Sequence, residues 1–213
     1  DYYRKELYYE IEFQEYLQFK FYEQWDRLKD YANRNGIKII GDIPIYVALD
    51  SADVWTNPAL FQLDENLKPV NVAGCPPDAF SDWGQKWGNP IYDWDEMERC
   101  DFAWWKKRMA ASAKLYDVTR IDHFIGIVRY YNIPVDGVPK DGFFAKGPGI
   151  KLINAIDSVM GDAKVIAEDL GVVVPEVTEL IKKSGYPGMK VLQFAFDENT
   201  NNEHAPHNYE KNY

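Results

Sequence analysis

Cysteine and histidine are scarce in this chain, with two Cys and three His among 213 residues. Cys75 and Cys100 form no CxxC pair and no zinc-ligand spacing, which argues against a disulfide scaffold or a zinc module. They read as free thiols in a reducing compartment, and the expected location is cytoplasmic. His204 and His207 flank Pro206, have no obvious third ligand and do not fit H-E-x-x-H, so no metal is expected. Long apolar runs are missing as well. None approaches the ~20 residues of a membrane span, and no signal-peptide pattern stands after Asp1, the first residue. Basic residues are outnumbered, 24 Lys and Arg against 34 Asp and Glu, for a net charge of −10. That argues against nucleic acid and anionic membranes as partners and suits a neutral one. No G-x-G-x-x-G or P-loop pattern follows an expected strand, which disfavours a nucleotide site and leaves no cofactor expected.

Aromatic side chains are abundant, at 15% of residues with 7 Trp and 15 Tyr. Flat rings stack on the apolar faces of pyranoses, so a sugar cleft is one use for them. A large aromatic core is the other, and most of the rings are assigned to it. The hydrophobic share of 46% allows one domain with a sizeable core.

Apolar residues at spacings of three and four predict a helix over 11–34, with Phe13, Leu17, Phe21, Trp25, Leu28 and Ala32 on its stripe. Gly36 closes it. A buried strand follows over Ile37–Ile40 and ends at Gly41-Asp42. Residues 50–100 have no clear period. Their prolines and aromatics fit an ordered functional loop or an elaborated insertion. A helix is expected from Phe102 to Tyr116, a strand up to Asp122, an irregular stretch to Gly149, and a helix over Ile150–Met160. A strand over Lys164–Glu168, a helix opened by Pro175 and running to Lys183, and a last strand over Met189–Phe196 complete the order. Alternation of this kind means parallel strands with right-handed crossovers. On pattern alone a doubly wound sheet and part of a (βα)8 barrel are equal. Carboxylates at three successive strand ends, Asp42, Asp122 and Glu168, favour the barrel, whose active sites sit at that rim.

Alternation puts Arg120 and Asp122 on one face of their strand, where a guanidinium holds a carboxylate ionised and aimed. Glu168 follows apolar Val165, Ile166 and Ala167, surroundings that raise a carboxyl pKa and suit a general acid. Two acids across one rim can cleave a glycosidic bond. The structural alternatives are an Arg120–Asp122 ion pair and a turn cap at Glu168 or Asp169. His123 can hydrogen-bond a sugar hydroxyl or simply pack. The loop Gly74–Pro90 suits a lid over an extended sugar chain, or an ordered surface loop with an aromatic anchor.

Five blocks then stand in order: Gly41-Asp42-Ile43-Pro44-Ile45-Tyr46-Val47, Pro76-Pro77-Asp78 through Trp87-Gly88-Asn89-Pro90, Arg120-Ile121-Asp122-His123-Phe124, Ala167-Glu168-Asp169-Leu170-Gly171, and Gly188 to Phe196. Together they resemble the 4-α-glucanotransferases, the amylomaltases or disproportionating enzymes. The resemblance implies a retaining transferase that moves α-1,4-glucan segments between malto-oligosaccharides or to glucose. It implies Asp122 as nucleophile and Glu168 as acid/base, with Arg120, His123, Asp42, Asp78, Phe80, Trp87 and Asp169 binding substrate. It also implies an α/β fold, a partial (βα)8 TIM barrel holding strands three to six. Residues 1–213 would then be part of one catalytic barrel domain, with 50–100 an inserted substrate-covering region. The family's third carboxylate would fall beyond Tyr213, and the first two strands before Asp1. Two departures stand out: Ile125 replaces the Arg of the Arg-Ile-Asp-His-Phe-Arg-Gly block, and Ala79 stands where some members have Tyr. The resemblance places the family in the α-amylase clan, and a glucan hydrolase of that clan would share both carboxylates, but the Pro-Pro-Asp-Ala-Phe loop belongs to the transferases. A non-catalytic glycan-binding barrel is disfavoured because both acids are present.

Overall fold

The computed structural model describes residues 2–78, 81–171, 174–196, 199 and 201–209. Helices α1 (Tyr2–Glu6) and α2 (Tyr8–Arg34) open the chain. Gly36, at φ +74°, takes the left-handed position that ends α2. The expected helix is present and starts earlier than its pattern suggested. Its apolar stripe, however, is not a core face: α2 buries none of its residues, and Phe13, Leu17, Phe21 and Leu28 are exposed. Only its C-terminal half is attached. Trp25 Nε1 donates to the Leu115 carbonyl at 2.9 Å and its ring meets Tyr116 edge-on. Asn33 Nδ2 donates to Oδ2 of Asp117 at 2.9 Å, and the same oxygen accepts the Ile39 N–H at 2.8 Å. Those two donors hold the Asp117 carboxyl below its ordinary pKa, the Ile39 bond most of all.

Strands β1 (Ile40–Ile43), β4 (Val118–Ile121) and β7 (Lys164–Ala167) form a three-stranded parallel sheet in the order β1-β4-β7. Asp42 is level with Arg120, and Arg120 with Ile166. A Cβ at Gly41 would overlap the Tyr116 ring, so this strand needs glycine there. The crossovers descend through α5 (Ala103–Leu115) and α6 (Ile150–Met160), close to their expected bounds. Trp105 and Met109 of α5 and Leu152, Ile153 and Ile156 of α6 are buried in one core with Ile43, Ile121, Val165 and Ala167 of the sheet. Helix α7 (Pro175–Ser184) begins at the expected proline and adds Val177, Leu180 and Ile181.

The stretch expected to be irregular is built. It contains α3 (Ala52–Thr56), β2 (Asn71–Cys75), β3 (Gln85–Pro90) and α4 (Trp94–Arg99). Strands β5 (Arg129–Pro134) and β6 (Phe143–Lys146) come from the segment before Gly149, also expected to be irregular. Together they make a four-stranded antiparallel sheet, β3-β2-β5-β6. These strands are short and rich in Gly, Asn and Pro, and a register shift lies between Val72 and Gly74, so no period of two shows. The aromatic-core reading holds for Phe61, Tyr92, Trp94 and Trp105, all buried, but not for most of the rings: those of α1 and α2 are largely exposed, as are Trp55, Trp83, Phe143 and Phe196. Tyr92 sits at the centre, with its hydroxyl donating to the Ile45 carbonyl at 2.7 Å. Arg108 stacks on Trp104 and Trp105 and donates to the same carbonyl. The loop after β1 is thereby fixed.

The expected last strand over Met189–Phe196 is absent. Ala167 N–H does donate to the Pro187 carbonyl at 2.8 Å, as a neighbouring strand would require. The next donors go to side chains instead: Met189 N–H to Asp169 Oδ1 at 2.8 Å, and Val191 N–H to His204 Nδ1 at 3.1 Å. With its donors taken, the segment turns into a short 3-10 helix at Leu192–Ala195.

Candidate active site

Parallel strands bring their C-terminal ends to one edge, and the three carboxylates foreseen there occupy it: Asp42 in β1, Asp122 after β4, and Glu168 after β7. Arg120 ties the first two together. Its Nη1 donates to Asp42 Oδ2 and its Nη2 to Asp122 Oδ1, each at 2.7 Å. Asp122 is anchored through its own N–H to the Ile43 carbonyl at 2.9 Å, and its side chain stays 45% exposed. This leaves an open, charge-paired carboxylate.

Glu168 is the opposite kind of acid, only 7% exposed. Oε2 accepts the His123 N–H at 2.7 Å and Oε1 the Leu170 N–H at 2.8 Å. Its backbone accepts from Phe124 N–H at 2.9 Å and donates to the Ile121 carbonyl at 3.1 Å. Burial raises the Glu168 pKa. The two N–H donors oppose that shift, the Asp122 charge adds to it and Arg120 opposes it, and burial prevails. The two acids thus have the divided character that acid/base chemistry needs, one open and paired with a guanidinium, the other inclined to hold a proton.

His123 takes the left-handed conformation, φ 54° and ψ 47°, which costs a side-chain-bearing residue about 1–2 kcal/mol. Its own N–H and that of Phe124, both bonded to Glu168, hold it there. Burial pushes the imidazole down to a pKa of about 4, against the charge of Asp122, so the ring is neutral near pH 7. It meets the Trp87 indole edge-on at 4.9 Å.

Above the strand ends opens a cleft of about 570 Å³. Arg120, Asp122, His123 and Glu168 form its floor. Tyr46 and Asp78 come to it from loops, and Cys75, Gln85, Trp87, Asn89, Arg129, Tyr131 and Phe144 from the antiparallel sheet. Trp87 Nε1 donates to Gln85 Oε1 at 2.9 Å, and Asn89 Nδ2 to the Val47 carbonyl at 2.9 Å. Arg129 lies over the Phe144 ring at 4.2 Å. A mixed aromatic and amide lining of this kind suits a polyhydroxylated ligand. Asp78 reaches the cleft while its Oδ1 accepts the Ser81 N–H at 2.9 Å, pinning its own turn. Ile125, which replaces the block's Arg, is 6% exposed and also borders the cleft.

The structure does not bring every expected residue there. Asp42 is exposed beside the cleft and reaches it through Arg120. Asp169 is buried next to the cleft and not in its lining; it accepts the Met189 N–H and borders a small adjoining cavity with Lys190 and His204. Successive residues of an extended segment face opposite ways, so Glu168 in the cleft turns Asp169 out of it. Phe80 lies outside the described residues, as does Ala79. Sequence reasoning missed Arg129, Tyr131 and Phe144, because the strands that carry them have no legible period. Tyr46 lay within a quoted block but was given no role. Among the described residues, no group of three or more His, Cys, Asp or Glu is disposed to hold a metal ion. Among the same residues no helix is long and apolar enough to cross a membrane.

A sequence model described as 4-alpha-glucanotransferase matches residues 1–213. A 4-alpha-glucanotransferase of Clostridium butyricum is 51% identical over 99% of this chain and 44% of its own length. One from Thermus thermophilus is 49% identical over 94% of this chain and 40% of its own. The solved amylomaltase of Streptococcus agalactiae, in complex with acarbose, superposes with a TM-score of 0.94. It is 46% identical over 99% of this chain and 43% of that one. The chain therefore spans less than half the length of these relatives. The family model, the sequence relatives and the solved fold agree, and the chain belongs to the 4-alpha-glucanotransferase family.

Proposed function

We propose that this chain supplies the nucleophile and the acid/base of a 4-α-glucanotransferase acting by retaining double displacement. One observation carries the reading: an exposed, arginine-paired Asp122 and a buried Glu168 of raised pKa border one cleft from adjacent parallel strands. In the first half-reaction, protonated Glu168 gives its proton to the glycosidic oxygen. The Asp122 carboxylate attacks the anomeric carbon, the C–O bond breaks, and the leaving glucan departs as an alcohol. In the second, ionised Glu168 takes the proton of an acceptor hydroxyl. That oxygen attacks the same carbon and releases Asp122. Two inversions restore the α configuration.

Malto-oligosaccharides and glucose are the proposed substrates. The acarbose complex of the Streptococcus agalactiae relative supports an oligosaccharide in this cleft. We assign the parallel strands to a (βα)8 barrel, all of 1–213 to that one domain, and β2 and β3 to a wall that covers the substrate. The two free cysteines support a cytoplasmic location. Incubation of full-length protein with maltotriose tests the reading. Transfer yields glucose together with longer oligosaccharides, whereas maltose and glucose alone would mean hydrolysis and overturn it. The 213-residue chain alone is expected to show less than about a tenth of that activity, because electrostatic help from the family's third carboxylate is often a large share of barrier reduction.

Trp87 is 37% exposed at the cleft. Trp87→Ala is expected to raise the acceptor KM about tenfold, a loss of roughly 1.4 kcal/mol, with little change in melting temperature. A sharply lowered melting temperature with an unchanged KM would return Trp87 to a packing role.

A further inference from the structure

Arg120 is held on three sides, and one of them is not a carboxylate. Its Nε–H donates to the Met189 sulfur at 3.0 Å, while Nη1 and Nη2 reach Asp42 and Asp122 at 2.7 Å. Two contacts leave a planar guanidinium a rotation about the line that joins them. A third contact, off that line, fixes the plane. A thioether is a weak acceptor, but both carboxylates are well exposed, at 57% and 45% of their side chains, where ion pairs hold geometry poorly. Met189 is itself fixed. Its N–H donates to Oδ1 of buried Asp169 at 2.8 Å, and Pro187, two residues earlier, accepts the Ala167 N–H at 2.8 Å. This gives the failed fourth strand a purpose: leaving the sheet at Met189 places a sulfur beside the guanidinium.

We infer that Met189 is a positioning residue, whose sulfur fixes the plane of the Arg120 guanidinium and through it the direction of the Asp122 carboxylate. The inference rests on the nucleophile role proposed for Asp122. It also gives Asp169 work that needs no substrate contact, as the anchor of Met189.

Met189→Leu keeps the volume and removes the acceptor, while Met189→Gln restores one through its amide oxygen. In full-length protein the Leu variant is expected to lose about tenfold in kcat with KM within about twofold. Its melting temperature should stay within about 2 °C. The Gln variant should recover most of the kcat. Hydrogen exchange at the Arg120 Nε–H, followed by NMR, reads the contact without turnover: slow in the natural protein and the Gln variant, fast in the Leu variant. Unchanged exchange in the Leu variant, or a Leu variant with natural kcat, would overturn the proposal. So would a Gln variant no better than Leu. Exchange that quickens in the Leu variant of a protein that transfers no glucan would support the contact and sink the proposed function instead.

Discussion

Replacing Asp122 by Asn is expected to lower turnover by about 10⁴-fold or more, with hardly any change in stability. The size of the loss follows from the role, because members of a catalytic unit removed singly cost on the order of 10⁴–10⁶ in kcat. That corresponds to about 5.5 kcal/mol or more of barrier. The stability side follows from exposure. The Arg120–Asp122 pair is partly open to solvent, and such pairs contribute about 0–1 kcal/mol. Asn keeps the size and one acceptor oxygen, and Arg120 keeps Asp42. A large kinetic loss beside a small thermal one is the signature of a group present for chemistry. If the Asn variant keeps turnover within tenfold, the nucleophile lies elsewhere. If it unfolds, the ion pair is structural.

Glu168→Gln is expected to behave differently on both counts. Turnover should fall by about 10²–10⁴, the usual range for a lost general acid–base. A donor with a good leaving group should restore the first half-reaction only, because the acceptor in the second still needs a base. Stability should fall as well. Both carboxylate oxygens accept backbone N–H groups, and an amide offers one oxygen for the two donors. An orphaned buried donor costs about 1–3 kcal/mol. The pH dependence has a definite sign. Burial raises the Glu168 pKa in the folded protein, so the native state holds a proton that the unfolded chain has lost. Its contribution is fully present below the unfolded pKa and is lost as pH rises through the folded one. The natural protein should therefore lose stability with pH across that window, and the Gln variant should lack that part of the slope. Thermal melts across the acid-to-neutral range check this. Identical slopes would mean that Glu168 titrates as an ordinary carboxyl.

Much of the site was legible because its elements are local. Short apolar runs before Asp122 and Glu168 marked two of the parallel strands; the run from Ile37 placed the third too early and as buried, whereas β1 is Ile40–Ile43 and both Ile37 and Ile40 are exposed. Gly36 and Pro175 marked the end of the helix before them and the start of the helix after them. Alternation alone placed Arg120 beside Asp122. What stayed hidden depends on contacts distant in sequence. The antiparallel sheet joins β2 and β3 to β5 and β6, and none of these shows a period of two. The face of α2 has the period of a buried helix, yet the described residues leave it uncovered. The segment after Met189 has the composition of a strand. Its hydrogen bonds go to Asp169 and His204, and nothing in its own residues says so. Asp169 was expected to bind substrate, and the Met189 N–H that its carboxylate accepts comes from twenty residues away, out of reach of local reading.

The most direct test of the account is a covalent one. Full-length protein is mixed with a slowly turned-over glucosyl donor, quenched in acid, digested and read by mass spectrometry. The account predicts a hexosyl adduct on the peptide that contains Asp122. It should be absent from Asp122→Asn and should accumulate in Glu168→Gln when the donor carries a good leaving group. An adduct on another residue, or none in the natural protein while it turns over, would contradict the central claim.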